Sequence, residues 1–484
     1  MARIPELDDI RAEIRSRSHI VDWATRFPWW PRPAHVKILF YADGGIRYDG
    51  GPFFGLKQVL ATLTAQHHPW VRFEPTTVNR STDPSADHDN LDLAQALALD
   101  DFDELWIYSI AAAPQLAPAE LAAARTFMDD RDGGVLITGD HADLGAAFGN
   151  LPRAGKMRML PAPPASTGVW NTSLRSGADA TFEFADQSDS TPQPLDLVWQ
   201  WAGLLRKAPH PVLCSQLGPI DIFPDHQHEG EALAPAPAPV SEWPAGARAE
   251  IIARATIIDP SSNTVGRRFG VLSAYDGHAA KVGRVLADST WHHHFDINLR
   301  GVPGQPDRTG FVTPGTGDWI PTARKIEAFF VNAGVWLAPP AKQRAMRAAA
   351  WWPILWSDIV VQGLDVRLDT RLLGRYAYDA LGRYAPQCAV FGWIWDLVPI
   401  DARPQVLKLA ERGEDVPVTE FVAGVATQQL IDSFGATPSR MPTEAPDLDV
   451  IDKALQGAGE RGLEVLSQAV DERAETIRTL ARRR

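Results

Sequence analysis

Six of the thirteen histidines fall in three short polar clusters, and that concentration is the first chemical signal in the chain. One cluster reads Asp225-His226-Gln227-His228-Glu229, a second runs from Asp288 to Asp296 through His292, His293 and His294, and a third is Gly139-Asp140-His141. In His226-x-His228 the i, i+2 spacing puts both rings on one side of an extended segment. Two imidazoles with carboxylates beside them suit Zn, Mn, Fe or Ni, and an open position on such an ion activates water for hydrolysis. Glu229 comes directly after and is placed to act as a general base. The competing account is a solvated polar loop beside a Pro-rich stretch. On an extended segment His292 and His294 would share a face and His293 would point away, so at least one of the three is expected outside any pocket. A polar turn after a strand explains them equally well. The candidate ligands of a divalent transition metal are therefore His226, His228, His292, His293 and His294, with Asp140, His141 and Glu229 as acid/base groups.

Such residues need a scaffold, and the hydrophobic pattern supplies one. Short apolar runs at 36–41, 71–78, 104–110 and 135–138 read as strands, separated by helical patterns at 55–65, 91–99 and 118–128. Pro118 stands near the start of the last helix, where its missing N–H costs nothing. Further strands are expected at 251–258, 269–274 and 283–289, and 211–215 reads as another short one. Nearly continuous apolar strands alternating with helices require a parallel sheet covered on both faces. The fold class is α/β, a doubly wound, mostly parallel, flavodoxin-like sheet, followed by a C-terminal helical region.

In such a sheet ligands bind beyond the carboxyl ends of the strands. Asp43, Tyr48 and Asp49 come after the first strand, Asp140 and His141 after the fourth, and Trp291 with the three histidines after a late one. Asp140 either caps the next helix or, with the helix dipole, helps bind an anion. Asp43-Gly44-Gly45 is either ligand-facing or a turn that needs positive φ. Arg153, Lys156 and Arg158 could grip a carboxylate or phosphate, or simply be solvated. Asp43, Tyr48, Asp49, Arg158 and Trp291 are the candidate contacts to a small polar substrate.

The 484 residues suggest more than one structural region. We expect an N-terminal helical extension over 1–35, an α/β domain over 36–335 with insertions at about 151–245, and an α-helical region over 336–484. Residues 348–361 and 391–398 hold five of the 17 tryptophans, which either pack inside a helical subdomain or form an apolar patch for a partner. From 461 to the end, Leu463, Leu466, Val470, Ile477 and Leu480 form one stripe of an amphipathic helix. That stripe either docks on its own domain or joins a second copy or a protein partner.

Composition excludes several classes. Lys plus Arg is 47 against 60 Asp plus Glu, a net charge of -13, so nucleic acid is not an expected partner. Cys214 and Cys388 are the only cysteines, too few for a disulfide scaffold or a four-cysteine zinc site. The first 22 residues are charged and do not read as a secretory signal, and no run is long and apolar enough to span a membrane, so the expected location is the cytoplasm. No phosphate-binding G-x-x-x-x-G-K-[ST], no G-x-G-x-x-G after a strand and no G-x-S-x-G elbow occurs. Cys214, between apolar neighbours, reads as a core residue.

The strand after Gly133-Gly134, the small-residue elbow Gly139-Asp140-His141 and the late Gly283-Arg284-Val285 strand ending in histidines resemble the class I glutamine amidotransferase-like superfamily, and more closely its trehalose-utilisation (ThuA-like) branch. The resemblance covers roughly residues 36–299 and implies a fold and a site location. Glutaminase members carry a nucleophilic cysteine at the elbow; here Asp140 or His141 stands there and neither cysteine is near, so glutamine hydrolysis is not implied. His292 to His294 lie where the family's late histidine falls, while residues 321–484 have no counterpart. The expected function is metal-assisted hydrolysis of a sugar or amide. The alternative is a non-catalytic sensor or scaffold pseudoenzyme whose helical region binds a partner. A third reading uses Asp140 and His141 as an acid/base pair without metal.

Overall fold

The computed structural model describes residues 33–50, 54–65, 70–139, 144–158, 193–201, 207–215, 217–223, 231–235, 242–256, 266, 268–301, 323–356, 369–382, 385, 387–399, 401–411, 417–434 and 447–482. The N-terminal extension expected over 1–35 lies almost wholly outside them.

Nine strands form one sheet: β1 (Ala34–Ala42), β2 (Val71–Asn79), β3 (His88–Asp89), β4 (Glu104–Tyr108), β5 (Gly134–Ile137), β6 (Asp196–Leu197), β7 (Ala249–Thr256), β8 (Arg268–Tyr275) and β9 (Val285–Asp288). Their spatial order is β3-β2-β1-β4-β5-β9-β8-β7-β6. From β3 through β9 every neighbouring pair is parallel, whereas β8, β7 and β6 add on antiparallel. The order reverses between β1 and β4, which makes their carboxyl ends the switch point of a doubly wound sheet.

Strand side chains alternate, and each face has its own core. Val36, Ile38 and Phe40 of β1 belong to one apolar cluster, and Leu39 and Tyr41 to the other. The second face is covered by α2 (Leu93–Leu97) and α3 (Pro118–Arg125) with Phe127, Phe148 and Trp243. Asp92 caps α2 in a reciprocal box with Gln95, as its sequence requires. The first face is covered by α1 (Lys57–Ala65) and by the late helices, among them α5 (Ala323–Leu337), α6 (Pro340–Trp351), α7 (Thr370–Gly382), α8 (Gln387–Leu397), α9 (Arg403–Glu411), α10 (Val418–Phe434), α11 (Leu448–Leu455) and α12 (Ala458–Arg482); a short α4 (Asp296–Arg300) comes after β9. One continuous cluster runs from Val36 in β1 through Phe329 in α5 to Val422 in α10 and Leu466 in α12.

Three expectations need correction. Residues 211–215 are a 3-10 turn, Pro211–Leu213, and then the short strand Cys214–Ser215, because the proline fixes φ at the start of a turn. Within the α-helical region expected over 336–484, the helix from Pro340 ends at Trp351 and continues as a 3-10 turn, Trp352–Trp356, because Pro353 cannot donate to the helical ladder. Arg153 and Arg158 are not solvated but buried. The tryptophan question resolves toward packing: Trp351, Trp352 and Trp393 are core residues. Among the described residues no helix is long and apolar enough to cross a membrane.

Candidate metal centre

The alternation that puts Val285 and Ala287 on the second face puts Leu286 and Asp288 on the first, alongside Trp106 and Tyr108 of β4. Asp288 ends β9, Tyr108 ends β4, and β5 lies between them. The next segment does not stay extended. His292–His294 form a 3-10 turn, whose tight winding, near three residues per turn, lets two successive side chains face inward. His293 and His294 are both buried, while His292 turns out, with Nδ1 3.4 Å from Nδ2 of Asn298. The expected division of the three histidines therefore falls differently from that of a strand.

Asp296, two residues past the turn, holds it in place. Its carboxylate accepts from the Lys57 and Gln58 amides at 3.2 and 2.8 Å, capping the start of α1, and its own amide donates to the Gly55 carbonyl. A Cβ on Gly55 would come within 2.7 Å of Asp296 Oδ2, so this close approach requires glycine.

Asp288, His293 and His294 each place one ligand atom in a group in which all such atoms lie within 4.8 Å of one another. Asp288 Oδ2 is 2.8 Å from His293 Nε2 and 3.3 Å from His294 Nε2. Nδ1 of His294 is 3.0 Å from the Tyr108 hydroxyl. Aromatic rings close the site: Phe223 stacks on His293 at 4.0 Å, Phe329 lies 5.5 Å from the same ring, and Phe330 lies 5.3 Å from His294.

Burial pushes the His294 imidazole down to about 4, the neighbouring His293 adding to the effect and Asp288 opposing it. For Asp288 burial works against the charged form, but the two histidines outweigh it and hold the carboxyl below the usual carboxylate range. Burial, with the Asp288 charge behind it, drives the Tyr108 hydroxyl well up, so it stays protonated. This corner of the molecule therefore holds one carboxylate, neutral imidazole at His294 and one phenol, the protonation pattern that metal ligation needs. Among the described residues, Nδ1 of the wholly buried His293 has no hydrogen-bond partner, and Nε2 faces only the Asp288 carboxylate. Leaving a buried polar atom unsatisfied costs about 1–3 kcal/mol; Nε2 of His293 has the Asp288 carboxylate beside it at 2.8 Å, whereas Nδ1 has no such partner among the described residues. The group could hold a metal ion.

The other candidates fall elsewhere. Asp43 is buried at the switch point, where its carboxylate accepts from the Ser109 hydroxyl at 2.5 Å and the Ile110 and Ala111 amides at 2.6 and 3.0 Å; it ties β1 to the turn after β4. The Tyr48 hydroxyl donates into the core, toward the Phe40 and Val78 carbonyls. Asp49 pairs with Arg47 at the surface. Trp291 is buried edge-on to Phe54. Arg158 is the exception: it lies at the carboxyl ends of β5 and β9, donating from Nη2 to the Ser289 carbonyl at 2.8 Å and filling the space a side chain at Gly139 would take. Arg153, by contrast, pairs with Asp129, and its Nη1 donates to the Glu242 backbone carbonyl at 3.1 Å. Asp140, His141, His226, His228 and Glu229 lie outside the described residues. Asp288 and Tyr108 were not singled out as site residues from the sequence. The position of Asp288 at the end of a late strand was the available signal, while nothing local marked Tyr108.

No family model matches this chain, and neither does any curated protein or solved structure.

Proposed function

We propose that the chain is a metal-dependent hydrolase of small polar substrates, with Asp288, His293 and His294 holding a divalent transition metal at the carboxyl edge of the sheet. The observation that carries this reading is the wholly buried group of one carboxylate and two imidazoles, Asp288, His293 and His294, whose ligand atoms all lie within 4.8 Å of one another. When bound, such an ion supplies Lewis acidity and lowers the pKa of water. Asp288 brings the negative charge that makes the site selective for a cation. With a metal ion on Nε2 of His294, the neutral ring would carry its proton on Nδ1, which lies 3.0 Å from the Tyr108 hydroxyl oxygen. Arg158, on the same edge of the sheet, is placed to orient an anionic or carbonyl oxygen of the substrate. The amidotransferase-like resemblance favours a sugar or amide.

A second reading, a non-catalytic scaffold with a closed polar cluster, is favoured by the complete burial of all three groups. Elemental analysis of purified, untagged protein separates the two. One equivalent of metal in the wild type, lost in His293→Ala, together with chelator-reversible turnover in a panel of amides, esters and glycosides, supports the hydrolase. Metal without turnover across the panel favours the scaffold; no metal after supplementation overturns the site. The His226→Ala/His228→Ala variant, measured alongside, reports whether those histidines add ligands.

A further inference from the structure

The apolar stripe of α12 divides in two. In its first half Gly459 and Gly462 let the helix lie against the Leu397 carbonyl and the Val422 backbone, and Leu466 is buried. Beyond Ala469 the helix leaves the body of the protein. Val470, Ile477 and Leu480 are 51%, 59% and 61% exposed, and among residues 470–482 only Ala474 is even half-buried. The projecting part is roughly 20 Å long. An isolated helix of this length is marginal in water, so an exposed apolar stripe on it calls for a covering surface.

Charge says what that surface is. Asp471, Glu475, Arg478 and Arg482 succeed one another at i, i+4, i+7 and i+11 along one flank of the stripe, acidic first and basic last. A parallel copy would set this flank against the opposite flank of its partner, where it finds no charge complement. An antiparallel copy, centred between residues 476 and 477, sets Asp471 against Arg482 and Glu475 against Arg478, twice over by symmetry. We infer that the projecting half of α12 pairs antiparallel with α12 of a second copy, making the protein a two-fold homodimer. The flank is self-complementary only in that orientation, and the stripe meets itself. The pair is short, so association in the micromolar range or weaker is expected.

The test uses the full chain in sedimentation equilibrium from micromolar to submillimolar concentration. Wild type should show a concentration-dependent dimer, and Ile477→Glu should be monomeric with unchanged circular dichroism. Arg478→Glu/Arg482→Glu should weaken the dimer at least tenfold, and adding Asp471→Arg/Glu475→Arg to that variant should restore it. Under oxidation, Ile477→Cys should cross-link above the level of the unaltered chain and Val470→Cys should not. A monomer at all concentrations, a dimer that survives Ile477→Glu, or efficient cross-linking through Val470→Cys overturns the inference. So does a monomer that binds vesicles of anionic lipid through this helix.

Discussion

Oδ2 of Asp288 lies 2.8 Å from Nε2 of His293, an ion-pair contact wholly buried from solvent. Two ligands each about 2.1 Å from one ion, at angles of 90–110°, would stand roughly 3.0–3.4 Å apart. The Asp288 contacts to His293 and His294, 2.8 and 3.3 Å, bracket most of that range.

Removing a ligand should therefore remove the metal. His293→Ala and Asp288→Asn are each expected to take bound metal from near one equivalent to background and abolish any metal-dependent turnover. Plasma mass spectrometry of gel-filtered protein measures it. Stoichiometric metal retained in both variants would move the site elsewhere.

Tyr108 touches His294 without offering a ligand atom to the group. Tyr108→Phe keeps the ring, which packs 6.0 Å from Phe40, and deletes only the hydroxyl beside Nδ1 of His294. Metal affinity is expected to fall about 10–100-fold, with the melting temperature of the metal-free protein little changed. Competition with a chelator of known affinity reads the change. Unaltered affinity would mean that the hydroxyl does not orient His294.

At the opposite end of β4, Glu104 is wholly buried, and among the described residues its side chain's only hydrogen bond is from the Trp106 indole at 2.8 Å. Burial pushes this carboxyl well above its usual range. The folded state thus holds a proton that the unfolded chain releases near pH 4.5, and stability is lost as pH rises from there. Glu104→Gln should stabilise the protein at pH 7 by about 1 kcal/mol or more, and the advantage should vanish near pH 4. Denaturant titrations at the two pH values test this; a variant less stable at pH 7 would refute it.

His210 and His278 give the opposite slope. Burial, reinforced by the Arg284 guanidinium, lowers both to about 3, with Asp276 opposing. The unfolded chain takes up these protons near pH 6.5, so stability is full above that pH and falls on acidification toward pH 3. The expected slope is about 1.4 kcal/mol per pH unit for each histidine. Replacing both with glutamine should flatten the dependence between pH 6.5 and 5; an unchanged slope would assign acid sensitivity to other groups.

Gly139 must remain glycine. A Cβ there would stand 1.8 Å from Nη1 of Arg158, a buried guanidinium already bonded to the Ser289 carbonyl. Gly139→Ala is expected to cost about 1–3 kcal/mol through overpacking. Differential scanning calorimetry measures the loss, and Arg158→Ala in the same chain should recover part of it.

The α/β architecture was legible because it arises from local pattern. Runs such as residues 36–41 are apolar at every position only where both faces are covered, and the winding of strands and helices is the consequence. The edge of the sheet on which the candidate group lies was legible for the same reason, since the ends of parallel strands are where a doubly wound sheet opens. Even the amphipathic end of the chain declared itself, through Leu463, Leu466, Val470, Ile477 and Leu480. Rotation and distance were beyond the reach of sequence. Whether His293 faces in or out depends on whether residues 292–294 wind as a 3-10 turn, and that winding goes with the Asp296 cap on α1, some 240 residues away in sequence. The meeting of His294 with Tyr108 across β5 is a contact between residues 186 apart. The burial of Arg158, and the split of α12 into a docked half and a free one, depend on which surfaces pack. Those are tertiary facts, because side-chain direction beyond a single element is set by neighbours that no local spacing encodes.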